Sequence, residues 1–174
     1  MTWHSALEFA PDYEAIGMIS IENSNMEIAL AGLFGRVCFI SQRVAIAIYL
    51  TPNSAFARIA VFEKAAEAAL APRDGFKGVT DQAKRRQDCL DRTLKIASKA
   101  RSLIGKRHQI IHEQWGISGD EVHRRPLGAI EYTPMPINEL TDLVGAFRNL
   151  IQEIVDLDAE FHAHPPTLTD LRLP

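Results

Sequence analysis

The sequence predicts an all-α protein: an up-and-down bundle of four main helices, with a short irregular or hairpin insertion before the last helix. Long segments carry apolar residues at spacings of three and four, the periodicity of a helix with one buried face. Short segments containing proline, glycine or polar capping residues separate them. The chain has 174 residues, of which 47% are hydrophobic and 24% are charged, so it can form one domain with its own core.

The first predicted helix covers residues 25–50 and follows an N-terminal arm, residues 1–24, in which the apolar pattern is weak. Its apolar positions are Ile28, Leu33, Val37, Ile40, Val44 and Ile48. Pro52 cannot continue the helix, because proline lacks the backbone N–H and its ring clashes with the preceding turn. Charged or amide side chains interrupt this apolar run at Glu27, Arg36, Gln42 and Arg43. A membrane-spanning helix is therefore not expected.

Two more helices are predicted in the middle of the chain. The second covers residues 54–70, with Ser54 as its N-cap, and the turn sequence APRDG at residues 71–75 ends it. The third is a long basic helix with one apolar stripe at Leu90, Leu94, Ala97, Ala100, Ile104 and Ile111. Gly116 and Gly119 are expected to end this third helix.

The predicted insertion lies between the third helix and the last one. Residues 121–123 and residues 129–132 are expected to pair as a short hairpin. A final amphipathic helix is predicted from about residue 138 to residue 162, and residues 165–174 are expected to form an irregular tail. The helical bundle would therefore span residues 25–164.

Charge is distributed unevenly along the chain. The net charge of −3 excludes a protein that binds nucleic acid over its whole surface. Residues 81–107, however, contain nine Lys or Arg against three Asp, whereas residues 137–164 contain one Arg against six Asp or Glu. The basic helix could attract an anionic partner, or it could be a solvated helix face paired with an acidic neighbour. The sequence leaves both interpretations open.

The two cysteines and the missing cofactor motifs restrict the choice of chemistry. Cys38 and Cys89 lie in apolar-periodic segments at no metal-binding spacing, which indicates free thiols in a reducing cytoplasm. The N-terminus lacks the basic-then-apolar order of a signal peptide. The sequence has no Gly-rich phosphate loop, no Ser-His-Asp order and no CxxC pair, so we expect neither a cofactor nor a resident metal.

The strongest functional signal is the sequence RHQIIH at residues 107–112, in the last part of the basic helix. Arg107 supplies a fixed cation, and histidine is the side chain that gains or loses a proton near neutral pH. Metal-free cleavage of RNA by its own 2′-hydroxyl requires proton removal there and proton donation to the leaving 5′-oxygen. A guanidinium can stabilise the charged phosphorane between these steps. We therefore predict catalytic roles for Arg107 and His112, with His108 assisting.

Helical geometry separates two of these residues. Arg107 and His112 are five positions apart, which leaves about 140° between them around a regular helix. His108 and His112 are four positions apart and should share one face. The side chains of Arg107 and His112 can then meet only through the length of the arginine side chain, through a distorted helix end or through a second subunit.

The third of the four predicted helices carries Arg107, the polar His108 and His112 near its end. This arrangement resembles the HEPN superfamily, whose pattern is an arginine, then a polar residue and, further along, a histidine. Trp115 and Gly116 add to this resemblance, which spans about residues 25–162. The resemblance implies a small helical bundle that dimerises and brings two copies of the motif to one cleft. Catalytic members of the family are metal-independent endoribonucleases, whereas others have lost catalysis and act as binding or scaffold modules.

The resemblance therefore predicts a cytoplasmic homodimer that cleaves RNA in a defence or toxin–antitoxin setting, with an antitoxin or another protein as a further partner. Additional basic side chains are predicted to bind RNA phosphates: Lys99, Arg101, Lys106, Arg124 and Arg125.

Other interpretations of the motif remain open. The same cleft could serve a non-catalytic dimer that binds a protein or nucleotide. His108 and His112, with His123 or with His162 and His164, could instead bind a metal ion in the bundle. Arg107 and His112 could also be surface cations favoured by the negative C-terminal end of a helix.

Overall fold

The computed structural model describes residues 10–71, 80–112, 114–118, 121–125, 128, 131, 133–134 and 137–164. Five helices contain most of these residues: α1 (Ala10–Cys38), α2 (Gln42–Tyr49), α3 (Ala55–Leu70), α4 (Thr80–His112) and α5 (Ile137–Ala163). Three short strands lie between α4 and α5: β1 (Gln114–Ser118), β2 (Glu121–Arg125) and β3 (Thr133–Pro134). The predicted all-α class is confirmed, with a small sheet as its only β element among the described residues.

The first predicted helix was wrong at both ends. Helix α1 begins at Ala10, crosses the predicted boundary after residue 24 and ends at Cys38. Phe39 has a φ of 56°, a left-handed conformation that is uncommon outside glycine. Its N–H donates to the carbonyl oxygen of Arg36 at 3.2 Å, and the Ile40 N–H donates to that of Gly35 at 3.0 Å. These two bonds form a Schellman motif, so the chain leaves α1 sharply although its apolar pattern continues.

The N-cap predicted for the second helix is confirmed. The Ser54 hydroxyl oxygen accepts a hydrogen bond from the Ala57 N–H at 3.1 Å, and α3 begins at the next residue, Ala55. The turn predicted at residues 71–75 lies outside the described residues except for Ala71.

The predicted end of the third helix was wrong. Helix α4 ends at His112. Of the two glycines expected to end it, Gly119 lies outside the described residues and Gly116 belongs to strand β1. The backbone of this segment forms ladder hydrogen bonds with β2, which replace the helical ones. The helix therefore ends at the second histidine of the motif.

A hairpin does occupy the insertion, but its pairing differs from the prediction. Strand β2 pairs antiparallel with β1, with Ser118 opposite Glu121 and Gln114 opposite Arg125. Only two residues separate β1 from β2 in the sequence, a length typical of tight hairpins. On its other side β2 pairs with β3, with His123 opposite Pro134. Of the predicted partner strand, residues 129, 130 and 132 lie outside the described residues.

The core lies among all five helices, with the largest interface between α1 and α5 and the next between α3 and α4. The largest fully buried side chains are Ile19, Met26, Leu30, Leu33, Tyr49, Ile59, Phe62, Leu70, Leu140, Phe147, Ile154 and Leu157. Three residues that the apolar pattern of the first predicted helix assigned to the core are exposed instead: Ile28, Val44 and Ile48. The break after α1 turns α2, so that Ala45 and Tyr49 face inward in their place.

Ion pairs give the relative directions of α1 and α5. Arg148 Nε lies 2.7 Å from Glu22 Oε1, and further along both helices Arg36 Nε lies 3.1 Å from Asp158 Oδ1. Residue numbers therefore increase in the same direction in α1 and α5, which run parallel. In a simple four-helix up-and-down bundle the first and last helices run antiparallel. The predicted up-and-down arrangement is not confirmed.

Helices α4 and α5 run antiparallel. Arg92 Nη2 lies 2.8 Å from Glu160 Oε2, whereas Lys99 Nζ lies 2.6 Å from the earlier residue Glu153. The C-terminal end of α4, with His112, therefore lies at the end of the protein where α5 begins. This placement determines which other residues can reach the candidate motif.

No single described helix is long and apolar enough to cross a lipid bilayer. The segments Glu14–Cys38 and Gln42–Tyr49 meet that criterion only when taken together, and they are bent by 116° relative to each other.

Candidate active site

The candidate site lies on the last two turns of α4. Arg107, His108 and His112 all belong to this helix, which is anchored from its other side by the buried side chains of Leu103 and Ile110. Burial of apolar side chains on one face holds the backbone in place, so the polar residues between them have defined positions. The site is therefore built on a rigid element near its C-terminal end.

His108 and His112 contact each other on the exposed side of this helix. Their ring centroids are 4.4 Å apart, with 54° between the ring planes, and both residues are exposed. The spacing of four residues places both side chains on one face, as the sequence predicted. Two imidazoles of the same chain are therefore exposed side by side near the end of α4.

Arg107 occupies a different environment from the two histidines. It is half-buried, and its Nε is buried without a hydrogen-bond partner in the described part of the chain. No described carboxylate lies within ion-pairing distance of its guanidinium. An N–H group that is buried and unpaired is unfavourable, so Arg107 has both a charge and hydrogen-bonding capacity to offer an anion.

Arg107 and His112 do not share a helix face. Helix α4 remains α-helical through His112, so the local distortion that could have brought them together is absent, and about 140° separates them. Within one chain, the structure brings His108 and His112 together and leaves Arg107 beside them on the packing side of the helix.

Of the three predicted RNA-binding residues on α4, two pair with carboxylates and one does not. Lys99 Nζ lies 2.6 Å from Glu153, and Arg101 Nη2 lies 2.6 Å from Glu63, so an RNA phosphate would have to displace a carboxylate at either residue. The contacts of Lys99 and Arg101 therefore agree with the interpretation of the basic helix as a solvated face that pairs with an acidic neighbour. Lys106 is exposed, and none of the carboxylates in the described ranges pairs with it.

Strand β2 carries the other two predicted RNA-binding residues, Arg124 and Arg125. Arg125 lies opposite Gln114 in the sheet, only two residues beyond His112, so the hairpin brings this basic pair to the C-terminal end of α4. Arg125 is half-buried, and the side chain of Arg124 lies outside what the structure describes. The sheet thus joins two basic segments that are separated by more than ten residues in the sequence.

The described residues contain no group of three or more His, Cys, Asp or Glu that could hold a metal ion. His162 and His164, which the metal interpretation proposed as further ligands, lie at the far end of α5. The 25 residues between the start of α5 and His162 span roughly 37 Å at 1.5 Å per residue, so these histidines cannot join His108 and His112.

Cys38 and Cys89 are free thiols, as predicted, and both are half-buried. Burial raises the pKa of each thiol above its ordinary value. Since the thiolate is the nucleophile, a raised pKa makes both cysteines poor candidates for covalent catalysis.

A second polar cluster, which no sequence motif indicates, lies at the junction of α1, α2 and α3. Arg58 Nη2 lies 3.1 Å from Glu27 Oε1, and both side chains are mostly buried. The hydroxyl of Tyr49 is fully buried nearby, and burial together with the charge of Glu27 raises its pKa well above the ordinary range. The one sequence signal for this cluster was a glutamate inside an apolar run.

Comparisons with known proteins found no match in a scan against protein-family models, in a search of curated proteins or in a search of solved structures. The function is therefore inferred from the residues of α4 and their surroundings.

Proposed function

We propose that this protein is a HEPN-like, metal-independent endoribonuclease that acts as a homodimer in a defence or toxin–antitoxin setting. The observation that carries the proposal is the contact between His108 and His112, exposed on α4 directly beside an arginine that no described carboxylate neutralises. Together these residues supply proton transfer and a fixed positive charge, the two requirements of metal-free phosphodiester cleavage.

The proposed reaction uses the RNA's own 2′-hydroxyl as the nucleophile. An imidazole removes its proton, the 2′-oxygen attacks phosphorus, and the leaving 5′-oxygen receives a proton. Arg107 stabilises the negative charge of the phosphorane through parallel N–H donors. General acid–base catalysis typically contributes about 10²–10⁴-fold, so charge stabilisation by Arg107 is needed in addition.

A second copy of the chain is proposed because Arg107 and His112 lie on different sides of α4. In a two-fold dimer, the arginine of one protomer and the histidine of the other can face one cleft. Exposed apolar side chains on α2, on the residues that flank it and at the start of α3 offer a contact surface for another protein: Phe39, Val44, Ile48, Leu50 and Phe56. The same surface fits an antitoxin, and it also favours the second candidate function, a non-catalytic binding module.

RNA binding itself would rely on the basic groups around the end of α4. Lys106 is exposed beside the motif, and the backbone pairing of β2 carries Arg124 and Arg125 to the same region. Lys and Arg contacts to phosphates give affinity without sequence readout and make binding sensitive to salt. We therefore expect weak sequence preference in the substrate.

The test is cleavage of a labelled single-stranded RNA in the presence of a chelator. We expect products with 2′,3′-cyclic phosphate ends and a loss of at least about 10²-fold in rate for Arg107→Ala and for His112→Ala. His162→Ala is the matched control, because this histidine is also exposed near a helix C-terminus but lies at the far end of α5. Equal rates for the wild-type protein and His112→Ala would refute the proposal.

A further inference from the structure

The contact between His108 and His112 has a specific consequence for catalysis, if the proposed ribonuclease function holds. Both rings belong to one chain, both are exposed, and their centroids are 4.4 Å apart. In the phosphorane, the attacking 2′-oxygen, which has lost a proton, and the leaving 5′-oxygen, which receives one, are both bonded to the same phosphorus atom. A single phosphodiester lying over this face of α4 can therefore meet both imidazoles.

We infer that His108 and His112 of the same protomer form a complete acid–base pair, with His108 as the general base and His112 as the general acid. This assignment makes the proton-transfer machinery independent of the second subunit. The second subunit is then needed for binding or for the arginine.

Electrostatics separates the two roles. His112 is the last residue of α4, at the negative end of the helix dipole, which favours a positive charge, whereas His108 lies one turn further into the helix. The role of general acid, which requires a cationic ring, is therefore assigned to His112, and the role of general base, which requires a neutral ring, is assigned to His108.

The proton balance of the reaction follows from this assignment. Neutral His108 takes the proton from the 2′-hydroxyl, the 2′-oxygen forms a bond to phosphorus, and the bond between phosphorus and the 5′-oxygen breaks. His112 gives its proton to that 5′-oxygen. The products are a 2′,3′-cyclic phosphate and a free 5′-hydroxyl. The pair ends with the same total charge, and return of the proton through solvent from one ring to the other restores the starting state.

The test compares two RNAs that differ at one atom, the 5′-oxygen of the cleaved linkage, which is replaced by sulfur in the second RNA. A thiolate leaves without needing a proton, so this substrate does not require a general acid. We expect His112→Ala to lose at least about 10²-fold on ordinary RNA and to come within about tenfold of the wild-type rate on the sulfur RNA. We expect His108→Ala to be impaired on both substrates.

Gln109→Ala serves as the matched control, because Gln109 is exposed and lies between the two histidines. Circular dichroism and thermal unfolding of each variant show whether the fold is retained. If the sulfur RNA restored the rate of His108→Ala but not that of His112→Ala, the assignment of roles would be overturned. A wild-type rate for His108→Ala, with His112→Ala and Arg107→Ala inactive, would overturn the pair but leave the proposed function standing. Absence of cleavage by the wild-type protein would remove both.

Mixed dimers test whether the pair lies within one chain. Protomers carrying His108→Ala and protomers carrying His112→Ala are purified together through two different tags. If the pair is formed within a chain, these mixed dimers contain no intact pair and should be inactive. Mixed dimers of wild-type and doubly substituted protomers should keep roughly half of the activity per dimer. Substantial cleavage by the dimers of two single variants would show that the histidines pair across subunits, which would overturn the inference.

Discussion

Gly35 of α1 lies against Ala45 of α2 so closely that a Cβ atom added at residue 35 would be 2.9 Å from the Cβ of Ala45. The same added atom would be 3.3 Å from the carbonyl oxygen of Ile40. Real Cβ atoms do not approach other carbon atoms this closely, so the glycine permits the contact between α1 and α2. The bend between these helices therefore depends on the absence of a side chain at residue 35.

Gly35→Ala should destabilise the protein by about 1–3 kcal/mol, because the added methyl group overpacks a closed contact. Gly32→Ala is the control, since this glycine lies one turn earlier in α1 and a Cβ there would meet nothing within 4 Å. Alanine is the better helix former, so Gly32→Ala should be neutral or stabilising by up to about 1 kcal/mol. Chemical denaturation measures both, and equal effects for the two variants would contradict the proposed contact.

The ion pair between Glu22 and Arg148 should stabilise the contact of α1 with α5. The Glu22 side chain is only 10% exposed, and its other carboxylate oxygen accepts a hydrogen bond from Asn25 at 3.2 Å. Arg148→Met keeps most of the apolar stem but leaves this carboxylate without its cation, at a cost of about 1–2 kcal/mol after allowance for the exposed arginine. Arg36→Met, which breaks the more exposed pair with Asp158 on the same two helices, should cost less than about 1 kcal/mol.

This pair also predicts a dependence on pH. The hydrogen bond from Arg148 holds the pKa of the Glu22 carboxyl below its usual range, although burial acts in the opposite direction. Its stabilisation is therefore present above about pH 4.3, the ordinary pKa of glutamate, and is lost as the pH falls through the lowered folded-state pKa. The stability difference between the wild-type protein and Arg148→Met should shrink in acid. A difference that stays constant down to pH 2 would contradict this account.

Tyr49 should make the protein sensitive to alkali. Burial raises the pKa of its hydroxyl, so the folded state keeps a proton that the unfolded chain releases near pH 10. Stability due to this group is complete below about pH 10 and is lost as the pH rises further, by up to about 1.4 kcal/mol per pH unit. Tyr49→Phe removes this loss, so the difference in unfolding free energy between Tyr49→Phe and the wild-type protein should increase above pH 10.

At neutral pH, Tyr49→Phe should be neutral or stabilising by about 1 kcal/mol, because the hydroxyl is buried and no described group bonds to it. Thermal unfolding at pH 8 and at pH 11 measures both effects. Destabilisation by more than about 1 kcal/mol at pH 8 would show that the hydroxyl has a bonding partner.

Two lysines on α4 should differ in their contribution to RNA binding. Lys106 is exposed without a described carboxylate partner, whereas Lys99 is bound to Glu153. Lys106→Ala should weaken binding of single-stranded RNA and lower the salt dependence of the binding constant by about one phosphate contact, a change of about 0.7 in slope. Lys99→Ala should change that slope much less. Titrations at several salt concentrations measure both slopes, and equal losses would mean that the ion pair opens to admit RNA.

The helices were predictable where local sequence decides the outcome. Ser54 caps α3 because a hydroxyl directly before a helix can accept a bond from the third N–H, which depends on neighbouring residues alone. His108 and His112 share a face because helical geometry sets the positions of residues four apart. The break after Cys38 was missed, since it depends on Phe39 adopting a left-handed conformation that phenylalanine disfavours. The contact of α2 with Gly35 accompanies this conformation.

The amino-acid order by itself determined the helical class, the apolar stripes and the residues of the candidate motif, because helical periodicity and side-chain chemistry are local properties. Tertiary structure alone decided which of the described cations on α4 pair with a carboxylate. Lys99 and Arg101 pair with Glu153 and Glu63, from other helices, whereas no described carboxylate pairs with Arg107 near the end of α4. Such pairings join residues that are tens of positions apart, so they depend on how the helices pack and not on the sequence around each residue.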